Sequence, residues 1–589
     1  MKQFFKFMFA SMVGTLILML IGGLVSMVLM ITLIAGAQKE AAPIKENSVL
    51  QIKLDHPVYD RTSSNPFENF DFGNMKSFNS PGLADILKEL KLAAEDEKIK
   101  GIFLDLSEIN AGMATIEEIR NALITFKESG KFIMAYSEGY SQSAYYLATV
   151  ADEVYLNPEG SLTFKGLSAN LFFLKGMMEK IDVEPQIVRH GKYKSAVEPF
   201  TSDKMSEANK EQTLKYVTAL WEQMLKGISE TRKIDKAMLN IIADSLYVTH
   251  ASEALKYKMV DGLKYKDEIL AELRTKLGIE QDDKISFVSL SKYHKANKGK
   301  GGKYSKDKIA IVFAQGDIVS GEGDERTIGS EKISLAIRQA REDSTVKAIV
   351  LRVNSPGGSA LASEVIWREV VLAAAVKPVV ASMGDLAASG GYYISCGATK
   401  IMASPNTLTG SIGVFGIVPN MEGMFKNKLG ITFDGVSTNK HSDYISVTRG
   451  MKPYEEAVLQ KDIELIYGTF IKHVAEGRNM TEAQVDSIGQ GRVWSGTDAK
   501  EIGLIDEFGG MQDAIEMAAE LAKLEDYKLV GYPKQKDPFV QLMEQISGDE
   551  TSTFLRNELG SNYQYYEYLK NMSQIKGVQA RIPYEINIY

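Results

Sequence analysis

Cysteine is nearly absent from this 589-residue chain: Cys396 stands alone, which excludes an intramolecular disulfide framework and any zinc site built on cysteines. Histidine is scarce as well. The six histidines (His56, His190, His250, His294, His441 and His473) include no pair at HExxH spacing, so a helical zinc-protease site is not expected. Basic residues are in deficit, 68 against 76 acidic ones for a net charge of −8, which argues against nucleic-acid binding because no surplus cation is available to neutralise phosphates. With only 15 prolines and 44% hydrophobic residues, the chain leaves little room for long disordered tracts. Its length exceeds what one hydrophobic core spans, so two or more large domains are expected.

What is present begins with an uncharged run from Phe7 to Ala37. A bilayer needs about 20 apolar residues in a helix, and a cleaved leader carries only about 7–15, so residues 1–46 read as a transmembrane anchor. The triplet Ala35-Gly36-Ala37 resembles a cleavage site and keeps processing open as the alternative. Lys2 and Lys6 on a short N-terminal tail favour an inside start, which puts the rest of the chain outside a cytoplasmic membrane.

Beyond the anchor the sequence repeats itself. Lys100-Gly101-Ile102-Phe103-Leu104-Asp105 is echoed by Lys347-Ala348-Ile349-Val350-Leu351-Arg352, Tyr145-Tyr146 by Tyr392-Tyr393, and Pro158 by Pro405, each 247 positions on. The stretch from Ala254 to Asp261-Gly262 returns as Ala499 to Asp506-Glu507, offset by 245. These anchors define a duplication: a first domain over 47–295, a Gly/Lys-rich linker over 296–304, a second domain over 305–525, and a tail over 526–589 with several tyrosines (Tyr563, Tyr565, Tyr566, Tyr568) and no assigned role. In the second domain, Ile309–Phe313, Ala348–Val353 and Val379–Ser382 read as buried strands separated by helical stretches at 333–341 and 363–375. Such alternation predicts an α/β fold with parallel sheets and a ligand site at the carboxyl ends of the strands.

Two segments there could carry chemistry. After Val353 comes Asn354-Ser355-Pro356-Gly357-Gly358-Ser359, whose glycines allow close backbone approach, although a tight strand-to-helix turn explains them equally well. After Ser382, the run Ala387-Ala388-Ser389-Gly390-Gly391 surrounds a lone serine with small residues, as a nucleophile attacking a peptide carbonyl requires. The repeat favours the functional reading: the equivalent positions of the first domain hold Gln142, Ser143 and Ala144, so the aromatic pair is kept while the serine and both glycines are not. No Gly-x-Ser-x-Gly elbow or histidine pattern supplies a base. A buried lysine can serve, because burial destabilises the ammonium form, and Lys194 lies among small and apolar neighbours in Tyr193-Lys194-Ser195-Ala196-Val197-Glu198-Pro199-Phe200.

Together with Asn354–Gly358, Ala388–Tyr393 and Thr409-Gly410-Ser411-Ile412-Gly413-Val414, that segment resembles the protease IV (signal peptide peptidase A) family, peptidase family S49, in its long duplicated form. The resemblance spans the anchor and both halves in order. It implies tandem Clp/crotonase-like domains, a bowl-shaped homotetramer and a serine endopeptidase that degrades cleaved signal peptides and other hydrophobic peptides, with no metal or cofactor. Carried over residue by residue, it implies Ser389 as nucleophile, Lys194 as general base, the N–H groups of Gly358 and Gly390 as oxyanion hole, and Ser411 as the residue orienting the lysine. The repeat offset pairs Lys194 with His441 and Ser389 with Gln142, so the site would straddle the halves. A one-residue gap would instead align Lys440 with Lys192, and a base at Lys440 would let the second half work alone. A catalytically silent membrane scaffold that kept the fold is the competing reading, and a CoA-ester enzyme of the same superfamily a third.

Overall fold

The computed structural model describes residues 2–37, 43–63, 70–71, 76–77, 81–297, 305–324, 326–535 and 578–581. The linker residues 298–304 and the tyrosine cluster of the tail lie outside them. The N-terminal run is a helix, Lys2–Ala37, within which Gln3–Leu24 is long and apolar enough to cross a membrane.

Each half builds a parallel sheet from buried, largely aliphatic strands, and the two sheets have one strand order. In the first half the order is Gly262–Leu263, Glu153–Leu162, Phe132–Tyr140, Ile99–Asp105, Ser48–Ile52, Ser286–Ser289. In the second it is Glu507–Phe508, Lys400–Ala403, Val379–Ala388, Val346–Ser355, Lys308–Gln315, Lys528–Tyr532, with Leu408–Gly410 and Val493–Ser495 branching from the serine-bearing strand. Three central strand pairs (99/346, 132/379 and 153/400) start 247 residues apart, the offset read from the sequence. The last strand of the second repeat, Lys528–Tyr532, pairs parallel with Lys308–Gln315 as Ser286–Ser289 pairs with Ser48–Ile52, so this repeat runs past residue 525.

The helices read from periodicity form at Ser330–Glu342 and Ala360–Ala374. The strand expected to stop at Ser382 continues to Ala388, and the one expected to stop at Val353 continues to Ser355. Both extensions come where the pairing register shifts, Ser355 meeting Ala387, and small residues (Gly384, Ala387, Ala388) hid the strand from a hydrophobic pattern.

One apolar cluster joins the halves, beside a second that belongs mainly to the second half. The first runs from Leu50 and Ile102 through Ile116 and Ile119 to Ile311, Val350 and Val380. Through it passes a fully buried guanidinium. Arg352 Nε donates to Asp60 Oδ1 at 2.8 Å, its Nη2 to Glu118 Oε1 at 2.7 Å and its Nη1 to Ser382 Oγ at 3.0 Å, while Met511 N–H donates to Glu118 Oε2 at 2.7 Å. Both carboxylates belong to the first half, so the charge is compensated only when the halves are together.

A third sheet belongs to neither half alone. Its order is Thr327–Gly329, Asp317–Val319, Gly357–Ser359, Gln579–Arg581, Val414–Asn420, Glu184–His190. Glu184–His190 of the first half pairs antiparallel with Val414–Asn420 along seven residues, which carries the following loop, with Lys194, into the second half.

Candidate active site

Ser389 sits at the carboxyl end of the strand Val379–Ala388 and directly precedes the short helix Gly390–Ser395. Its backbone has φ 56° and ψ −113°, a conformation that costs a non-glycine residue about 1–3 kcal/mol and is concentrated at functional sites. The strain turns the side chain off the strand at the point where the helix begins, and Ser389 N–H is tied to Gly410 O at 2.7 Å. The first-half counterpart, Gln142, does a structural job: its side-chain oxygen accepts from Lys165 N–H and Gly166 N–H, so the turn there is plugged.

Lys194 enters from the first half. Its Nζ donates to Ser389 Oγ at 2.9 Å, Ser411 Oγ at 3.0 Å and Ser411 O at 3.2 Å. The residue is 1% exposed and forms no ion pair among the described residues. Burial alone therefore acts on the amine and brings its pKa down from 10.5 to about 7. Lys440 is exposed, and His441, the repeat counterpart of Lys194, is paired with Glu455 Oε1 at 3.0 Å. The structure thus joins Ser389 to Lys194 and not to Lys440.

The lysine stem is held by residues that sequence reading missed. A Cβ on Gly491 (φ 76°) would stand 2.6 Å from Lys194 Cβ, and one on Gly413 would stand 3.3 Å from Lys194 Cδ. Both glycines let the aliphatic stem pass between two loops of the second half. Buried Gln212 then fastens the lysine loop: its Nε2 donates to Tyr193 O at 3.1 Å and Ser195 Oγ at 2.9 Å, while its Oε1 accepts from Val493 N–H at 3.1 Å. A glutamine inside a charged helix carries no signal of such a role. The clue available in sequence was the Gly-Gln-Gly run at 489–491, unusual just before the strand at 493.

The glycines near the serine converge. Gly357 has φ 102°, and a Cβ there would lie 2.7 Å from Gly390 N and 2.1 Å from Ala580 O. Gly358 packs against Ile318, whose carbonyl oxygen would be 2.1 Å from an added Cβ. Ser411, in the left-handed region with φ 50°, is fixed by its N–H donating to Arg492 O at 2.7 Å. Ser389, Ser411 and Lys194 are thereby gathered at one place across the two halves of the chain, with Gly390 next to the serine and Gly357, the residue before Gly358, meeting Gly390 N. Chemically, a hydroxyl beside an amine of near-neutral pKa, with glycine N–H groups at hand, suits acyl transfer.

The sequence model described as "Peptidase family S49" matches residues 125–280 and 372–525. Among curated proteins, Protease 4 of Salmonella typhi is 40% identical over 479 residues, covering 79% of this chain and 76% of its own. Protease 4 of Haemophilus influenzae is 36% identical over 516 residues, covering 85% and 83%. The chloroplastic serine protease SPPA of Arabidopsis thaliana is 33% identical over 548 residues, covering 92% and 78%. The family match falls on both repeats, one holding the lysine and the other the serine, and the chain belongs to peptidase family S49, the serine proteases of the Protease 4 type.

Proposed function

We propose that this protein is a membrane-anchored serine endopeptidase working through a Ser389/Lys194 dyad on hydrophobic peptides, cleaved signal peptides among them. The observation that carries the reading is the 2.9 Å contact between Lys194 Nζ and Ser389 Oγ, made by a buried lysine with no ion-pair partner among the described residues. Neutral Lys194 removes the hydroxyl proton as Oγ attacks the scissile carbonyl. The N–H groups of Gly358 and Gly390 hold the oxyanion, and the lysine ammonium then protonates the leaving amine. Water, deprotonated by the same amine, releases the acyl group from the serine. Ser411, hydrogen-bonded to Nζ, holds the lysine toward Oγ. The N-terminal helix suits a single-pass anchor in a bacterial cytoplasmic membrane with the catalytic part on the extracytoplasmic face, and a homotetramer is the assembly proposed for it.

The test is hydrolysis of an apolar fluorogenic peptide by residues 47–589, comparing the unaltered protein with Lys194→Ala at matched folding. Loss of hydrolysis in the variant alone supports the dyad shared between halves. An active Lys194→Ala protein sinks it, and an inactive unaltered protein sinks the endopeptidase reading.

A further inference from the structure

Arg492 follows the glycine that makes room for the Lys194 stem, and its side chain spans the seam between the halves. The guanidinium carbon lies over the Tyr193 ring at 4.6 Å and over the Trp494 ring at 4.5 Å, while Nη2 meets Glu211 Oε1 at 2.9 Å. Glu211 also accepts from Tyr193 OH at 3.2 Å. Tyr193 and Glu211 belong to the first half, Arg492 and Trp494 to the second. The series continues beyond both rings. Lys192 Nζ lies 5.1 Å from the Tyr193 ring centre, and Lys215 Nζ lies 5.1 Å from that of Trp494 while it pairs with Asp498 at 3.2 Å. Cations and rings thus alternate from Lys192 to Lys215 in a ladder that crosses the seam.

This ladder is joined to both residues that set the amine in place. Tyr193 directly precedes Lys194, and its N–H donates to Gln490 O at 2.9 Å. Arg492 O accepts the Ser411 N–H at 2.7 Å, and Ser411 Oγ is the 3.0 Å partner of Lys194 Nζ. Exposure falls inward along the loop, with Lys192 exposed, Tyr193 half-buried and Lys194 buried, so the stacked groups stand on the solvent side of the amine. The other charged and titratable groups around the loop are Arg189, whose Nη1 donates to Lys194 O at 3.3 Å, and His190, paired with Glu464 at 2.6 Å.

The repeat supplies a comparison. At the offset of 245, Arg492 and Trp494 correspond to Tyr247 and Thr249, and Tyr247 is exposed and stacked on Tyr257. The half without a nucleophile lacks both the cation and the indole.

We propose that Arg492 is a positioning residue for the general base, locking the lysine loop of the first half onto the second and keeping water from the amine. The proposal rests on the dyad reading of the site. A planar guanidinium suits the place because it covers two rings and reaches Glu211 at once, which a compact ammonium cannot do.

The full-length protein tests this with Arg492→Ala, with Arg492→Lys, which keeps the charge without the plane, and with Tyr193→Leu, which removes the ring on the first-half side. Hydrolysis of an apolar fluorogenic peptide is followed from pH 6 to pH 10, alongside the melting temperature. A second readout needs no activity: the rate at which acetic anhydride acetylates Lys194 at about pH 9, read by mass spectrometry of the peptide that contains it. All three variants are expected to lower kcat about tenfold with KM changed by less than about twofold. The midpoint of the rising limb of kcat/KM is expected to move up by about one pH unit as water reaches the amine, and acetylation of Lys194 to run about tenfold faster. An unchanged kcat and midpoint in Arg492→Ala overturns the proposal. Full activity in Arg492→Lys overturns it too, because a point charge would then suffice. Loss of folding in all three variants, or a fall in activity that follows the melting temperature while the midpoint and acetylation rate stay put, makes the ladder a structural one and overturns the proposal. Faster acetylation in the variants, with no hydrolysis by any protein, supports the seal on Lys194 while overturning the protease reading.

Discussion

Lys194 and Ser389 lie 195 residues apart in the chain and in different repeats, yet Nζ stands 2.9 Å from Oγ. Neither repeat can hold this pair alone. The first offers Gln142 at the serine position and the second His441 at the lysine position, each engaged in local hydrogen bonds.

Removing the amine is expected to separate activity from stability. Lys194→Met should lower kcat/KM by about 10²–10⁴. Its melting temperature should equal or exceed that of the parent at pH 7, because a buried amine without a counter-ion is replaced by an apolar side chain of similar length. Calorimetry alongside peptide hydrolysis checks both; a large drop in melting temperature would contradict the account.

The pH dependence has a defined sign. With the amine pKa brought down to about 7 by burial, kcat/KM should rise with pH through about 7 and level off above it. The unfolded chain keeps the lysine near 10.5, so between about 7 and 10.5 it binds more protons than the native state. This group therefore makes native stability rise with pH across that window, and Lys194→Met should abolish that part of the slope. Initial rates and denaturant midpoints measured from pH 6 to pH 10 settle the matter.

Gln212 is a positioning residue. Gln212→Ala removes two hydrogen bonds to the lysine loop and strands Val493 N–H, at a cost of about 1–3 kcal/mol for the unsatisfied buried group. The expected kinetic effect is a fall in kcat with little change in KM, since Gln212 contacts the lysine loop and Val493 and acts only through the position of Lys194. An equal loss in thermal stability with unaltered kcat would mean that it serves folding alone.

Gly491→Ala should act in the same direction more strongly. The new Cβ falls 2.6 Å from that of Lys194 at a backbone φ of 76°, so the lysine or the loop must move. Misplacement of a reacting group by about 1 Å costs around 10²-fold in rate. Hydrolysis assays and circular dichroism should show an inactive, folded protein.

Arg352→Ala is expected to destabilise the chain by about 3–5 kcal/mol, because Asp60 and Glu118 lose the charge that compensates their burial. Urea midpoints for this variant and for the triple replacement of Arg352, Asp60 and Glu118 by apolar residues check it; the triple variant should recover much of the loss.

Much of the architecture is legible in the sequence. The 247-residue offset reappears in three pairs of central strands because a duplicated sheet keeps its strand spacing. Ser389 was found by its small neighbours and by their absence at Gln142. The continuation of the serine strand to Ala388 was not legible, since Gly384, Ala387 and Ala388 leave no alternation to read. Gln212, Gly413 and Gly491 were missed because their roles depend on a contact between repeats.

The sequence by itself determined the long apolar N-terminal helix, the two α/β repeats and the candidate nucleophile, all of which follow from local composition and periodicity. Tertiary structure alone decided which lysine faces Ser389, since Lys440 and Lys194 differ in exposure and not in chemistry. It alone brought the tail strand beside Gly358. Burial and strand pairing are properties of the assembled chain, and the amine pKa of about 7 exists only after both halves have closed around Lys194.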